Sequence, residues 1–158
     1  MAIEKEKFDK FVEFIKKSFE EVTRELVDSE YESNKALQLN DDTKIAIIIG
    51  VCGRSKGRIL LESNFLTANN FAIAMNCGDP LDEPNDLYMY VAEFANMFCG
   101  RATTYSNNEY QNREFWLTPP AIFSGDELEI NSPSIQAETV YYKGEQGIFL
   151  VEIGFEGG

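Results

Sequence analysis

The sequence predicts an α+β fold, with long helices packed on one face of a largely antiparallel sheet. Three observations lead to this class. Apolar residues recur at helical spacing in three segments, an apolar run is followed by a glycine-rich turn and a returning strand, and the C-terminal part alternates apolar and polar residues. At 158 residues we expect a single domain over 1–158, with an N-terminal helix within 1–27 and a core over 44–156.

Amphipathic spacing predicts three helices. The first covers residues 3–27 and suits core packing, with binding of a partner as the alternative. The second covers residues 64–77, with Asn64 as its N-cap. The third starts at Asn85 and ends near residue 105, before the polar sequence Ser106-Asn107-Asn108.

The predicted strands follow from apolar runs and alternation between turn residues. Residues 44–62 form a hairpin around Gly53-Arg54-Ser55-Lys56-Gly57, and Pro119-Pro120 must lie at an edge, strand end or bend. We reject a phosphate-binding loop at these glycines, because the G-K-[ST] ending is missing and a strand follows. The other expected strands are a short one at Ala36–Leu39, the EFWLT segment, and Glu127–Ile130, Gln136–Lys143 and Gly147–Phe155.

Charge and composition exclude several classes of protein. The net charge of -13 argues against nucleic acid and against an acidic membrane surface. No apolar run is long enough to span a bilayer, and the charged N-terminus lacks an apolar signal core, so we expect a cytoplasmic protein. Cys52, Cys77 and Cys99 have no C-x-x-C spacing and are expected to be reduced thiols.

The chain contains no histidine, which excludes Ser-His-Asp catalysis, Cys-His catalysis and His-ligated zinc. A magnesium site made of carboxylates alone is not excluded by composition. The acidic residues around Pro80 and Pro84 lack convincing ligand spacing, however, and indicate a solvated loop. We therefore expect no metal and no cofactor bound by this chain itself.

The stretch from Asn85 to Pro119 holds the candidate site. On a helix with 100° per residue, one arc is apolar and a different arc carries Glu93, Asn96 and Gly100. Glu93 and Asn96 stand at i and i+3, close enough to act on one target. Gly100 has no side chain, so another backbone could approach there. The apolar arc consists of Leu87, Val91, Phe94, Ala95, Phe98 and Ala102.

This helix resembles a known family. Glu93-Phe94-Ala95-Asn96 is an E-x-x-N motif, and 22 residues separate Asn96 from Pro119. The E-x-x-N-x22-P spacing and the string EFANMFCGRA resemble the signature of the CheC/CheX/FliY phosphatases of bacterial chemotaxis, from about Thr43 to Phe155. CheC and FliY relatives usually carry two such sites. One site with an added N-terminal helix is most similar to CheX.

The resemblance implies a phosphatase acting on the phosphoaspartate of a CheY-like response regulator, which would carry its own Mg²⁺. It makes Asn96 the residue that positions the attacking water and Glu93 the residue that docks the regulator. Gly100, Thr103, Thr104 and Pro119 would border the docking surface. Met89 stands where the family often has Asp or Ser, on the same face.

Two functions therefore stay open at this point. The first is the phosphatase. The second is a non-catalytic domain of the same fold that binds a regulator or dimerises, which Met89 favours. The resemblance also implies a homodimer, for which Pro133, Ser134 and the strand from Gln136 would offer an edge.

Overall fold

The computed structural model describes residues 2–39, 44–111, 115–126, 128–130 and 136–157. These residues form three helices and seven strands in the α+β arrangement that the sequence predicts. The helices are α1 (Lys5–Val27), α2 (Phe65–Met75) and α3 (Asp86–Glu109). The strands are β1 (Glu32–Ser33), β2 (Lys44–Gly53), β3 (Gly57–Asn64), β4 (Phe115–Leu117), β5 (Ala121–Gly125), β6 (Gln136–Gly144) and β7 (Gly147–Phe155).

The strands form one antiparallel sheet in the order β1-β6-β7-β3-β2-β4, with β5 also paired to β2. The helices pack on one face of this sheet. Alternate residues of β2 point into the core beneath them: Ile45, Ile47, Ile49 and Val51 are each 1% exposed. The predicted hairpin of β2 and β3 is confirmed, and so is Asn64 as the N-cap of α2, because its side chain accepts a hydrogen bond from the Thr67 amide at 2.8 Å.

The chain lays both β4 and β5 along the same edge of β2, with Pro119 and Pro120 at the corner between them. Thr118 closes this corner: its amide donates to the Gly50 carbonyl at 2.9 Å, and its hydroxyl accepts from the Gly50 amide at 2.8 Å. A Cβ at Gly50 would lie 2.9 Å from the Thr118 hydroxyl, so this close approach requires glycine. The predicted placement of the prolines at a bend is confirmed.

Two predicted strands are wrong in position. Residues 36–39 form no strand, because the Asn34 side chain accepts from the Ala36 amide at 2.9 Å and turns the chain there. The edge strand is instead the two-residue β1. Of the predicted strand at Glu127–Ile130, Glu127 lies outside the described residues and 128–130 form no element, whereas β5 directly follows the prolines.

The third helix continues past its predicted end. Ser106 and Asn107 were expected to break it, yet α3 runs to Glu109. The reason is tertiary, because the Asn107 carboxamide donates to the Phe115 carbonyl and accepts from the Phe115 amide, both at 3.0 Å. These bonds tie the last turns of α3 to the start of β4. Ser106 is fully buried.

Phe19 of α1 lies at the centre of the core. Its ring stacks on Tyr142 at 4.2 Å between centroids and meets Phe94 and Phe98 of α3 edge-on at 5.3 and 5.2 Å. The core-packing interpretation of α1 is therefore correct for its apolar face. Among the described residues, no helix is long and apolar enough to cross a membrane.

Candidate functional site

The candidate site rests on the buried face of α3. The whole predicted apolar arc is at most 1% exposed, and Cys99 is buried beside it. Phe94 packs against Phe71 of α2 at 4.5 Å and against Phe149 of β7 at 5.7 Å between ring centroids. This packing fixes the rotation of α3 about its own axis, so that the opposite arc faces solvent.

Four residues mark that exposed arc: Met89, Glu93, Asn96 and Gly100. They span 12 residues of helix, from Met89 to Gly100, which is a rise of about 16 Å along the axis. Glu93 and Asn96 are exposed, and neither side chain has a hydrogen bond or ion pair with any described residue. Asn96 thus keeps both amide hydrogens and its carbonyl oxygen available, and Glu93 keeps its negative charge uncompensated.

Gly100 leaves a gap in this arc. A Cβ built at this position would have nothing within 4 Å apart from its own helix and chain neighbours, so no packing in the described structure requires glycine here. Glycine in a helix interior costs stability relative to alanine. The described packing therefore gives no reason for a glycine at this position, one turn beyond Asn96.

Tyrosines on both sides of Met89 anchor the start of α3. The Tyr88 hydroxyl donates to Ser124 of β5 at 3.3 Å, and the Tyr90 hydroxyl donates to the Asn76 side-chain oxygen, just past α2, at 2.9 Å. Met89 between them is 65% exposed. A side chain so apolar and so exposed on a firmly held helix is available for contact with a partner.

The later part of α3 is held by α1. The Arg101 guanidinium donates to both carboxylate oxygens of Glu25 at 2.8 and 2.7 Å and lies 3.8 Å from Glu21, which also accepts from the Tyr105 hydroxyl at 2.7 Å. The hydrogen bonds with Glu25 raise the pKa of Arg101, and those with Arg101 lower the pKa of Glu25. The Arg101 side chain is thereby directed toward α1, away from Gly100.

The other predicted docking residues differ in accessibility. Thr103 is 7% exposed and donates to the Cys99 carbonyl at 2.8 Å, so its side chain lies beneath the surface rather than on it. Thr104 is exposed and donates back to the Gly100 carbonyl at 3.1 Å. Pro119 is exposed at the corner between β4 and β5, and β4 packs against α3.

The described residues contain no group of three or more His, Cys, Asp or Glu side chains that could hold a metal ion. The three cysteines are free, and burial raises the pKa of the Cys99 thiol, which keeps it protonated. One surface cavity of about 380 Å³ lies where α1, the β1 segment and β6 meet, and none of its lining residues belongs to α3.

Sequence reasoning did not identify the anchors of α3 or the exposed residues of α2. The anchoring bonds join residues 8 to 84 positions apart along the chain, beyond the reach of the helical period that the sequence shows. For α2 a signal was present: no Lys or Arg occurs between Arg58 and Arg101. A surface helix within such a stretch is unusual and could have been noted.

Residues 45–144 match the family model described as chemotaxis phosphatase CheX. The chain belongs to the CheX family. The matched region includes Glu93, Asn96 and Pro119, and the family is one of chemotaxis phosphatases. The comparison with curated proteins finds no significant match.

Solved structures agree with the CheX family in fold. CheX from Vibrio vulnificus is 20% identical with a TM-score of 0.78, and the match covers 92% of this chain and 96% of that one. A CheC-like superfamily protein from Shewanella is 22% identical with a TM-score of 0.78, over 94% and 98%. A CheX-CheY-BeF3-Mg²⁺ complex from Borrelia burgdorferi matches at 22% identity and a TM-score of 0.75, over 93% and 98%.

Proposed function

We propose that this protein dephosphorylates the phosphoaspartate of a CheY-like response regulator in chemotaxis signalling. One observation carries the proposal: Glu93 and Asn96, the E-x-x-N pair of a CheX-family helix, are both exposed and unpaired among the described residues on an otherwise anchored helix. A relative of this fold is seen with CheY and Mg²⁺. Such a regulator would be met in the cytoplasm.

Asn96 is proposed to position the attacking water. Hydrolysis of an acyl phosphate needs a water in line with the phosphorus, and most of the catalytic contribution lies in orientation and charge stabilisation. The Asn96 carbonyl oxygen would accept a hydrogen bond from the water, and its NH₂ would donate to a phosphoryl oxygen. The Mg²⁺ would be bound by the regulator, because no residue of this chain is proposed as a metal ligand.

Glu93 is proposed to dock the regulator by pairing with a basic side chain. A carboxylate would be repelled by the phosphoryl group itself, so a role at the periphery of the reaction suits it better than one at the phosphorus. Such a pair gives orientation and association rate more than affinity. Met89, Gly100 and Thr104 would surround this contact, and Pro119 would shape the neighbouring strand end.

A homodimer is also part of the proposal. Among the described residues, β6 pairs with β7 along its length but with β1 only at Tyr142 and Lys143, so positions 136–140 have no strand on the other side. A second β6 could extend the sheet there. Pro133 and Ser134, expected to lie near this edge, are outside the described residues. Sedimentation showing only monomer at micromolar concentration would count against the dimer.

The second candidate function is a regulator-binding domain without phosphatase activity. Met89 favours it, because a 65% exposed thioether stands where the family often has Asp or Ser. The two functions separate when binding and phosphate loss are measured on the same regulator. We expect Asn96→Ala to slow phosphate loss at unchanged affinity, and Glu93→Ala to weaken binding. Unchanged phosphate lifetime with normal binding by the wild type would leave only the second function.

A further inference from the structure

Helix α2 has a composition unlike that of an ordinary surface helix. Its 11 residues, FLTANNFAIAM, include no charged side chain, whereas 12 of the 23 residues of α1 are charged. Yet α2 is not enclosed: Leu66 is 66% exposed, Phe65 is 40% exposed and Asn70 is exposed. A solvated helix face normally carries charge, so this uncharged, partly apolar face is expected to contact another surface.

The outward face of α2 adjoins the candidate site. Phe71 on the inner side of α2 packs against Phe94, and Asn76 beyond its end accepts the hydrogen bond from Tyr90. Both α2 and α3 pack on the same face of the sheet, so their outward sides point away from it together. A partner that lies on Met89 and Glu93 therefore meets α2 as the next element along the surface.

The segment that contains α2, the loop after it and the first half of α3 carries charge of a single sign. No Lys or Arg occurs from residue 59 to residue 100. The loop between α2 and α3 carries Asp79, Asp82 and Glu83, all exposed, and α3 adds Asp86 and Glu93. An apolar contact bordered by carboxylates is complementary to a surface with apolar side chains surrounded by Lys and Arg.

We infer that the outward face of α2, centred on Leu66, is the second half of the docking surface for the regulator. The inference rests on the proposed function, since it assigns α2 to the same partner that docks on α3. It adds the chemistry of that partner: an apolar contact opposite Leu66, bordered by basic side chains opposite the loop at Asp82 and Glu83. Regulators lacking these features bind poorly, so α2 selects among the regulators of one cell.

The test measures the affinity of this protein for a phosphorylated CheY-type regulator and the rate at which phosphate is lost. Leu66→Asn removes the apolar contact without adding charge. Phe123→Asn is the matched control, because Phe123 is 46% exposed and faces the opposite side of the sheet, in register with Ala46. We expect Leu66→Asn to bind roughly tenfold more weakly with an unchanged rate at saturation, and Phe123→Asn to behave as wild type.

Asp82→Asn combined with Glu83→Gln tests the charge around the contact. We expect slower association and a weaker dependence on salt. If the wild type binds the regulator and Leu66→Asn binds it with the same affinity, the inference is overturned and the proposed function stays in place. If the wild type itself does not bind the regulator, the inference and the proposed function both fail. If Leu66→Asn alters only sedimentation of this protein alone, α2 is a self-association surface and the inference is wrong.

Discussion

The substitution Gly100→Ala is expected to affect the stability of α3 and the proposed docking of the regulator in opposite directions. A Cβ at Gly100 meets nothing within 4 Å beyond its own helix and chain neighbours, and the residue lies inside a 24-residue helix. Alanine is favoured over glycine in a helix interior by about 1 kcal/mol. For a chain of this size, that gain corresponds to a rise of about 2–4 °C in melting temperature. We expect this rise in thermal unfolding followed by circular dichroism.

The same methyl group fills the gap that the regulator is proposed to enter. We expect Gly100→Ala to weaken regulator binding by roughly tenfold while the protein becomes more stable, as is common where function opposes stability. Gly50→Ala is the control for the packing argument, because its Cβ would collide with Thr118 and should lower the melting temperature. A stabilised Gly100→Ala variant with wild-type affinity would refute the view that the gap is a contact surface.

Two further predictions address docking and folding separately. Glu93→Arg reverses the charge of an exposed side chain that has no partner among the described residues. If the regulator docks through a basic residue, its affinity should fall at least about tenfold, mainly through slower association in stopped-flow measurements. Faster association would mean that Glu93 faces an acidic surface. Asn64→Ala removes the cap of α2 and should lower the free energy of unfolding by about 1 kcal/mol, with Asn64→Ser restoring most of it. An unchanged denaturation midpoint in Asn64→Ala would show that the cap contributes nothing.

The local parts of the fold could be predicted from the sequence because they depend on local periodicity. Phe11, Ile15, Phe19 and Val22 recur at helical spacing, and α1 follows them to Val27. Glycines mark the turn between β2 and β3 in the same way. The end of α3 was predicted wrongly because it depends on a partner beyond the helix: the bonds of the Asn107 side chain to Phe115 carry α3 past a polar sequence expected to end it.

In the candidate site too, features set by helical spacing could be predicted from the sequence, whereas features set by tertiary packing could not. The i, i+3 spacing places Glu93 and Asn96 on one arc, and the structure leaves both exposed as expected from the apolar arc opposite. Thr103 was expected to border the docking surface beside Gly100, and on the helical wheel it lies only about 20° from Asn96, but it is buried. Its burial is therefore set by tertiary packing and not by the helical period. Which element lies beside α3 is a property of tertiary packing, so the contribution of Leu66 needed the structure.

The most direct test of the central claim is the single-turnover rate of phosphate loss from a Mg²⁺-bound CheY-type regulator, measured at saturating concentrations of this protein. Asn96→Ala is compared with Asn108→Ala, which removes an exposed carboxamide from the same helix outside the site. The account predicts that Asn96→Ala loses roughly 100-fold of the acceleration at unchanged affinity, whereas Asn108→Ala retains it. Full acceleration by Asn96→Ala at saturation would contradict the proposed role of its carboxamide.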